Sequence, residues 1–120
     1  MDYEFGRLEF SKRAIDNLME VASRSYTAGA GEMVKAYEEK WGELFGYKHN
    51  VAVSSGTSAD TAACIALYDF GAKQGDEIIA PACAFVAVGN SIRMAGFKPA
   101  FVDIERETLN INPRKIELHS

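Results

Sequence analysis

Apolar residues recur at spacings of three and four between Ser11 and Arg24, where Ile15, Leu18, Met19 and Ala22 form one stripe. That period predicts an amphipathic helix with Ser11 at its N-cap. From Ser25 to Gly31 the period breaks into small residues with two glycines, which predicts a flexible loop. It resumes from Glu32 to Phe45. Met33, Tyr37, Trp41 and Leu44 share one face, while Glu38, Glu39, Lys40 and Glu43 fill the wet side. Helical spacing assigns the aromatic stripe to core packing. Gly46 stands where a left-handed cap ends such a helix.

After Asn50 the rhythm changes. Val51-Ala52-Val53 is a short β-leaning run that empties into Ser54-Ser55-Gly56-Thr57-Ser58, and a helix rich in alanine then runs to about Phe70. Gly71 can end it, Gly75-Asp76 makes a turn, and Glu77 to Ala80 reads as a second strand closed by Pro81. A third helical stretch spans Phe85 to Ala95 and stops at Gly96, followed by a strand over Pro99 to Asp103. Strands alternating with helices predict an α/β layer with a parallel sheet, here β-α-β-α-β after two helices. Asn112-Pro113 is a cap followed by proline at the first helical position, so another helix begins there. Three strands are few for a parallel sheet covered on both faces, and the last helix starts close to Ser120. The chain therefore reads as the N-terminal piece of a larger enzyme.

Composition narrows the class. With 120 residues, 48% hydrophobic and 25% charged, the chain suits one ordinary globular domain. A net charge of −4 with no block of Lys and Arg argues against nucleic acid. No apolar run reaches the ~18 residues of a membrane helix, and the first residues lack the pattern of a signal peptide. Cys64 and Cys83 cannot build a disulfide framework, so the expected setting is the reducing cytoplasm.

Ser54 to Ser58 is the segment richest in possible chemistry. It joins a strand to a helix N-terminus, where free N–H groups and the helix dipole favour an anion and Gly56 permits close approach. No lysine follows the glycine as in a P-loop, and the GxGxxG fingerprint is absent. An anion cradle and an ordinary Ser/Thr cap both fit these residues. Pro81 to Phe85 also leaves the end of a strand, where ligands of open parallel sheets gather. Phe85 can offer a flat face to an aromatic ring or pack in the core. Cys64 and Cys83 read as small packing residues, His49 and His119 lack partners at metal-ligand spacing, and Glu38-Glu39 reads as a solvated face. Asp103 can reach a ligand or simply cap its turn.

Taken in order, the motifs form a pattern. Val34-Lys35-Ala36-Tyr37-Glu38, Phe45-Gly46, Val51-Ala52-Val53, Ser55-Gly56-Thr57-Ser58-Ala59, Gly75-Asp76-Glu77-Ile78-Ile79, Pro81, Phe85, Lys98-Pro99 and Phe101-Val102-Asp103-Ile104 follow one another. This series resembles the opening of the DegT/StrS family of fold-type-I enzymes dependent on pyridoxal phosphate (PLP), mostly nucleotide-sugar aminotransferases. The resemblance implies that Gly56, Thr57 and Ser58 hold the cofactor phosphate and that Phe85 stacks on its ring. It places Thr27 and Gly29, in the loop Tyr26-Thr27-Ala28-Gly29, near the nucleotide-sugar entrance. It implies part of a large PLP-binding domain over residues 1–120: a helix and loop over 1–31, then a helix and βαβαβ segment over 32–120. It further implies an amino-acid donor, a nucleotide-linked keto-sugar substrate, a homodimer and a role in polysaccharide biosynthesis.

The same resemblance puts the Schiff-base lysine and the aspartate at the pyridine nitrogen beyond Ser120. None of Lys12, Lys35, Lys40, Lys48, Lys73, Lys98 or Lys115 has the family's lysine context. No catalytic residue is therefore assigned within the chain, and the segment alone is expected to be inactive. Ala84 and Val88 stand where the family usually has threonines, and Asp60 where it usually has an apolar residue. Some sugar 3-dehydrases of the family carry a polar residue there, which keeps a dehydrase open as an alternative. A non-catalytic module that binds a phosphate ligand or a related subunit is the third reading.

Overall fold

In the computed structural model, which describes residues 6, 8–24 and 31–116, the chain divides into two compact units, Met1–Ala52 and Val53–Ser120. The first holds two helices, α1 (Lys12–Arg24) and α2 (Glu32–Phe45). Ser11 caps α1 as expected, its Oγ accepting the Ala14 N–H at 3.2 Å. Gly46 ends α2 in the left-handed conformation, φ 76°, with its N–H on the Gly42 carbonyl at 2.8 Å. Along α2, Tyr37, Trp41 and Phe45 sit one turn apart, with ring centroids 5.8 and 4.4 Å from each other in succession.

Two expectations for this unit need correction. The stripe of Met33, Tyr37, Trp41 and Leu44 is not core among the described residues. Even Trp41, the least exposed of the four, is 41% accessible. A helix face becomes core only when another element lies on it, and no residue of α1 or α2 is buried. Glu38 is more than a solvated side chain. Its Oε1 accepts the Ala52 N–H at 2.7 Å and ties the end of the unit back to α2.

That bond also bears on a third correction. Val51-Ala52-Val53, expected to be a strand, pairs with no strand among the described residues. A strand exists by its ladder to a neighbour. Here the Ala52 amide is engaged by a carboxylate, and Val51 is 82% exposed. The expected βαβαβ segment is thus a single βαβ unit preceded by a helix.

The second unit begins with α3 (Gly56–Ala66), which tightens into a 3₁₀ turn over Leu67–Phe70 and stops at Gly71. Then follow β1 (Glu77–Pro81), α4 (Ala87–Met94), β2 (Lys98–Val102) and the short α5 (Pro113–Ile116). The strands are parallel, as expected, in register from Glu77 opposite Lys98 to Pro81 opposite Val102. Asn112 caps α5 through a bond from the Arg114 N–H to its Oδ1 at 3.0 Å. α4 starts two residues later than the sequence suggests, so Phe85 lies in the turn before it. The Phe85 carbonyl accepts the Val88 N–H at 3.1 Å.

The core of this unit is small: Ala80 of β1, Ile92 of α4, and Ala95 and Phe97 beyond it, with Val102 of β2 also buried. Tyr68 stacks on Phe97 at 4.8 Å, and its hydroxyl donates to the Ala95 carbonyl at 2.8 Å. Gly96 makes this closure possible. Its φ is +89°, and a Cβ there would stand 2.9 Å from the Tyr68 hydroxyl.

Large apolar side chains stay exposed on both units, among them Leu18, Met19, Leu44, Phe70, Phe85 and Phe101. The chain by itself is therefore expected to bind the dye ANS and to elute as more than one species at micromolar concentration. A monodisperse monomer with a sharp two-state thermal transition and no dye binding would contradict this.

Candidate functional site

The first turn of α3 is built by serines. Ser55 is the N-cap, in extended conformation, and its Oγ accepts the Ser58 N–H at 3.1 Å. Its carbonyl accepts the Ala59 N–H at 3.0 Å. The Ser58 hydroxyl lies 3.0 Å from that of Ser55 and 3.2 Å from that of Ser54. The cap reading is thus realised, and it leaves the anion reading intact. Capping engages the Ser58 and Ala59 amides, whereas those of Gly56 and Thr57 have no partner among the described residues. Two free N–H groups at the positive end of an 11-residue helix suit an anion.

Gly56 adds an independent observation. Its φ lies outside the left-handed region, and a Cβ built on it meets nothing within 4 Å. Neither backbone strain nor crowding in the fold asks for glycine at this position. The open space beside it is where a ligand oxygen would approach the two amides.

Phe85 stands at the other expected position, in the segment that leaves the carboxyl end of β1. The Ala82 N–H donates to the Val102 carbonyl at 2.8 Å, carrying the ladder one step past Pro81 before the chain turns toward α4. The Phe85 ring is 74% exposed, so it is not a core residue here and its face is open to a ligand. It borders an apolar groove of about 430 Å³ with Val86, Pro99 and Phe101. Thr57 and Ser58 border a separate depression of about 280 Å³ with Ile65 and Met94. Among the described residues, these two cavities do not join the two halves of the expected site. α3 and α4 nevertheless pack together, and the Ser91 hydroxyl of α4 donates to the Thr57 carbonyl at 3.1 Å. Sequence reasoning missed Ser91. Its only signal was a hydroxyl on the apolar face of α4, three residues after Val88 and one before Ile92.

Thr27 and Gly29 lie outside the described residues. Asp103 turns its Oδ1 to the Ile104 N–H at 2.9 Å and so caps the turn after β2. Cys64 sits two turns along α3, and burial, reinforced by the Asp60 carboxylate, raises its thiol above the ordinary value. That is the opposite of an activated nucleophile. Cys83 is exposed between β1 and Phe85. Among the described residues no three His, Cys, Asp or Glu side chains form a metal-binding group. No helix among them is long and apolar enough to cross a membrane.

Comparison with known proteins supplies the context for this geometry. Residues 9–119 match the model of the DegT/DnrJ/EryC1/StrS aminotransferase family. The chain is 31% identical over 111 residues to GDP-perosamine synthase of Caulobacter vibrioides, covering 92% of this chain and 29% of that protein. It is 39% identical over 92 residues to GDP-4-keto-6-deoxy-D-mannose 3-dehydratase of Yersinia pseudotuberculosis, covering 72% and 23% respectively. The structure of E. coli GDP-4-keto-6-deoxy-D-mannose-3-dehydratase with bound hydrated PLP superposes with a TM-score of 0.84 at 31% identity. That match covers 99% of this chain and 31% of the other. The α/β fold is thus that of fold-type-I PLP enzymes, and the chain spans less than a third of the length of the relatives it matches.

The raised Cys64 pKa has a measurable consequence. At pH 8 iodoacetamide is expected to label the exposed Cys83 first and Cys64 slowly, read by peptide mass mapping. Asp60→Asn removes one of the two causes, lowers the Cys64 pKa and should speed its labelling. Unchanged Cys64 labelling in that variant would show that the carboxylate does not act on the thiol.

Proposed function

The chain belongs to the DegT/DnrJ/EryC1/StrS aminotransferase family, and from that premise we propose that it forms the phosphate-binding part of a PLP-dependent aminotransferase acting on a nucleotide-linked keto-sugar. The family is PLP-dependent and modifies sugars. The observation that carries the reading to particular residues is the first turn of α3: the Gly56 and Thr57 amides have no partner among the described residues, and the space beside Gly56 is open. The residues present fit the group. A phosphate set against Gly56 and Thr57 would take their N–H bonds and the dipole of α3, with the Ser58 hydroxyl as a further donor. Phe85, at the end of β1, would present its exposed ring to the pyridine.

When bound, PLP supplies an electron sink that stabilises negative charge on the carbon next to the amine. In this reading the chain's own residues bind and orient, and no proton transfer is assigned to them. An amino acid is the donor, and the functional unit is a homodimer in the cytoplasm. Thr27 and Gly29 are proposed to lie near the sugar nucleotide, as the family resemblance implies. A 3-dehydratase is the second reading. It is favoured by the 39% identity to the Yersinia enzyme and by the polar Asp60 in the α3 helix. Incubated with PLP, an amino-acid donor and a GDP-linked 4-keto-6-deoxy sugar, the chain alone is expected to give no aminated sugar. Measured turnover would overturn the assignment of the catalytic residues outside it.

Absorbance titration with PLP tests the site itself. The helix end contributes up to about 2 kcal/mol and ring stacking about 0.5–1.5 kcal/mol, which together correspond to millimolar affinity or weaker. Gly56→Val fills the approach to the amides without meeting any neighbour, so it should cost up to about thirtyfold in affinity with the fold intact. Phe85→Leu removes only the flat face and should cost about twofold to tenfold. If Gly56→Val binds PLP as well as the unaltered chain, the turn does not cradle the phosphate.

A further inference from the structure

Ser91 is the one polar residue among the described residues that is wholly buried, at 0% exposure. Its hydroxyl reaches from α4 to the Thr57 carbonyl at 3.1 Å. That carbonyl belongs to the same peptide group as the Ser58 N–H, which in turn donates to the Ser55 Oγ at 3.1 Å. A continuous line of hydrogen bonds therefore runs from the interior of α4, through the Thr57–Ser58 peptide of the first α3 turn, to the serine hydroxyls around it. Each bond polarises the next. α4 also begins just after Phe85, so the element that carries Ser91 is anchored to the segment bearing the ring.

The geometry assigns to Ser91 the role of a positioning residue: it holds the anion-binding turn of α3 in place against α4 and so sets the phosphate half of the site relative to Phe85. This inference rests on the reading of Gly56 and Thr57 as the phosphate cradle. It differs from ordinary packing because the Thr57 carbonyl does not depend on Ser91 for satisfaction. Thr61 Oγ1, from the same helix, donates to that carbonyl at 2.8 Å. Removing the Ser91 hydroxyl strands no buried polar group, and alanine fits the space, so Ser91→Ala keeps the fold. What it loses is the tie between helices.

Two ligands and two variants test this. PLP and pyridoxal share the ring and differ in the phosphate. Ser91→Ala is expected to weaken PLP about threefold to tenfold while leaving pyridoxal unchanged. Thr61→Val removes the hydroxyl that reaches the same carbonyl from within α3. It is expected to leave PLP affinity within about twofold, because the inter-helix bond persists. Equal PLP binding by Ser91→Ala and the unaltered chain overturns the role. So do equal losses for PLP and pyridoxal, a matching loss in Thr61→Val, or collapse of the Ser91→Ala fold in far-UV dichroism. If instead the unaltered chain holds PLP no better than pyridoxal, the phosphate cradle fails first and the positioning role falls with it.

Discussion

Parallel strands cannot be joined by a tight turn, so the chain must leave the carboxyl end of β1 and return to the amino end of β2 through a crossover. α4 is that crossover, and most of the second unit depends on where it lies. Ala87, Ser91 and Ile92 are its buried positions. Ile92 joins Ala80, Ala95 and Phe97 in the core, and α3 rests on the same helix. The Tyr68 hydroxyl bond to Ala95 and the turn at Gly96 fix the helix end before β2 begins.

Function inherits that dependence. Phe85 is placed by the step from β1 into α4. The α3 turn is placed by packing against α4, with one buried hydroxyl at the junction. The two halves of the proposed cofactor site, the turn that holds Phe85 and the first turn of α3, thus both adjoin α4. They hang from a single helix of eight residues. A short helix can impose such order because its buried side is made of small and well-fitted residues. Gly89 admits the Phe101 ring of β2, which a Cβ there would meet at 2.9 Å, Ser91 reaches α3, and Ile92 joins the core.

Much of this was legible in the sequence, for identifiable reasons. Helical periods, Ser11, Gly46 and Asn112-Pro113 act within a few residues, so the bounds of α1 and α2 and the start of α5 follow from local chemistry. The parallel pair was legible because its crossover helix separates two short apolar runs. Val51-Ala52-Val53 failed because strand propensity says nothing about whether a neighbour is present to accept the ladder. The aromatic face of α2 failed for the same kind of reason: period reveals that a face is apolar, and only a partner makes it core. At the site, the serine cap was legible by residue type and position, whereas for Phe85 the sequence left a core place and an open ring both possible, and the structure leaves the ring exposed. Ser91 did not, because a serine inside a helix pattern looks the same whether it faces water or reaches a carbonyl 34 residues away.

Gly96 and Gly56 show how structure separates two meanings of one letter. Gly96 is explained by the fold: a left-handed φ and a hydroxyl 2.9 Å from where its Cβ would be. Any chain that closes this turn on Tyr68 has that need, whatever it binds. Gly56 has neither reason. It starts a helix, directly after the Ser55 cap, and it looks into open space. Its own amide and that of Thr57 have no partner among the described residues, at the positive end of a helix held by a buried bond. The open space at Gly56 leaves the approach to those amides clear, which supports the proposal that the α3 turn takes an anion.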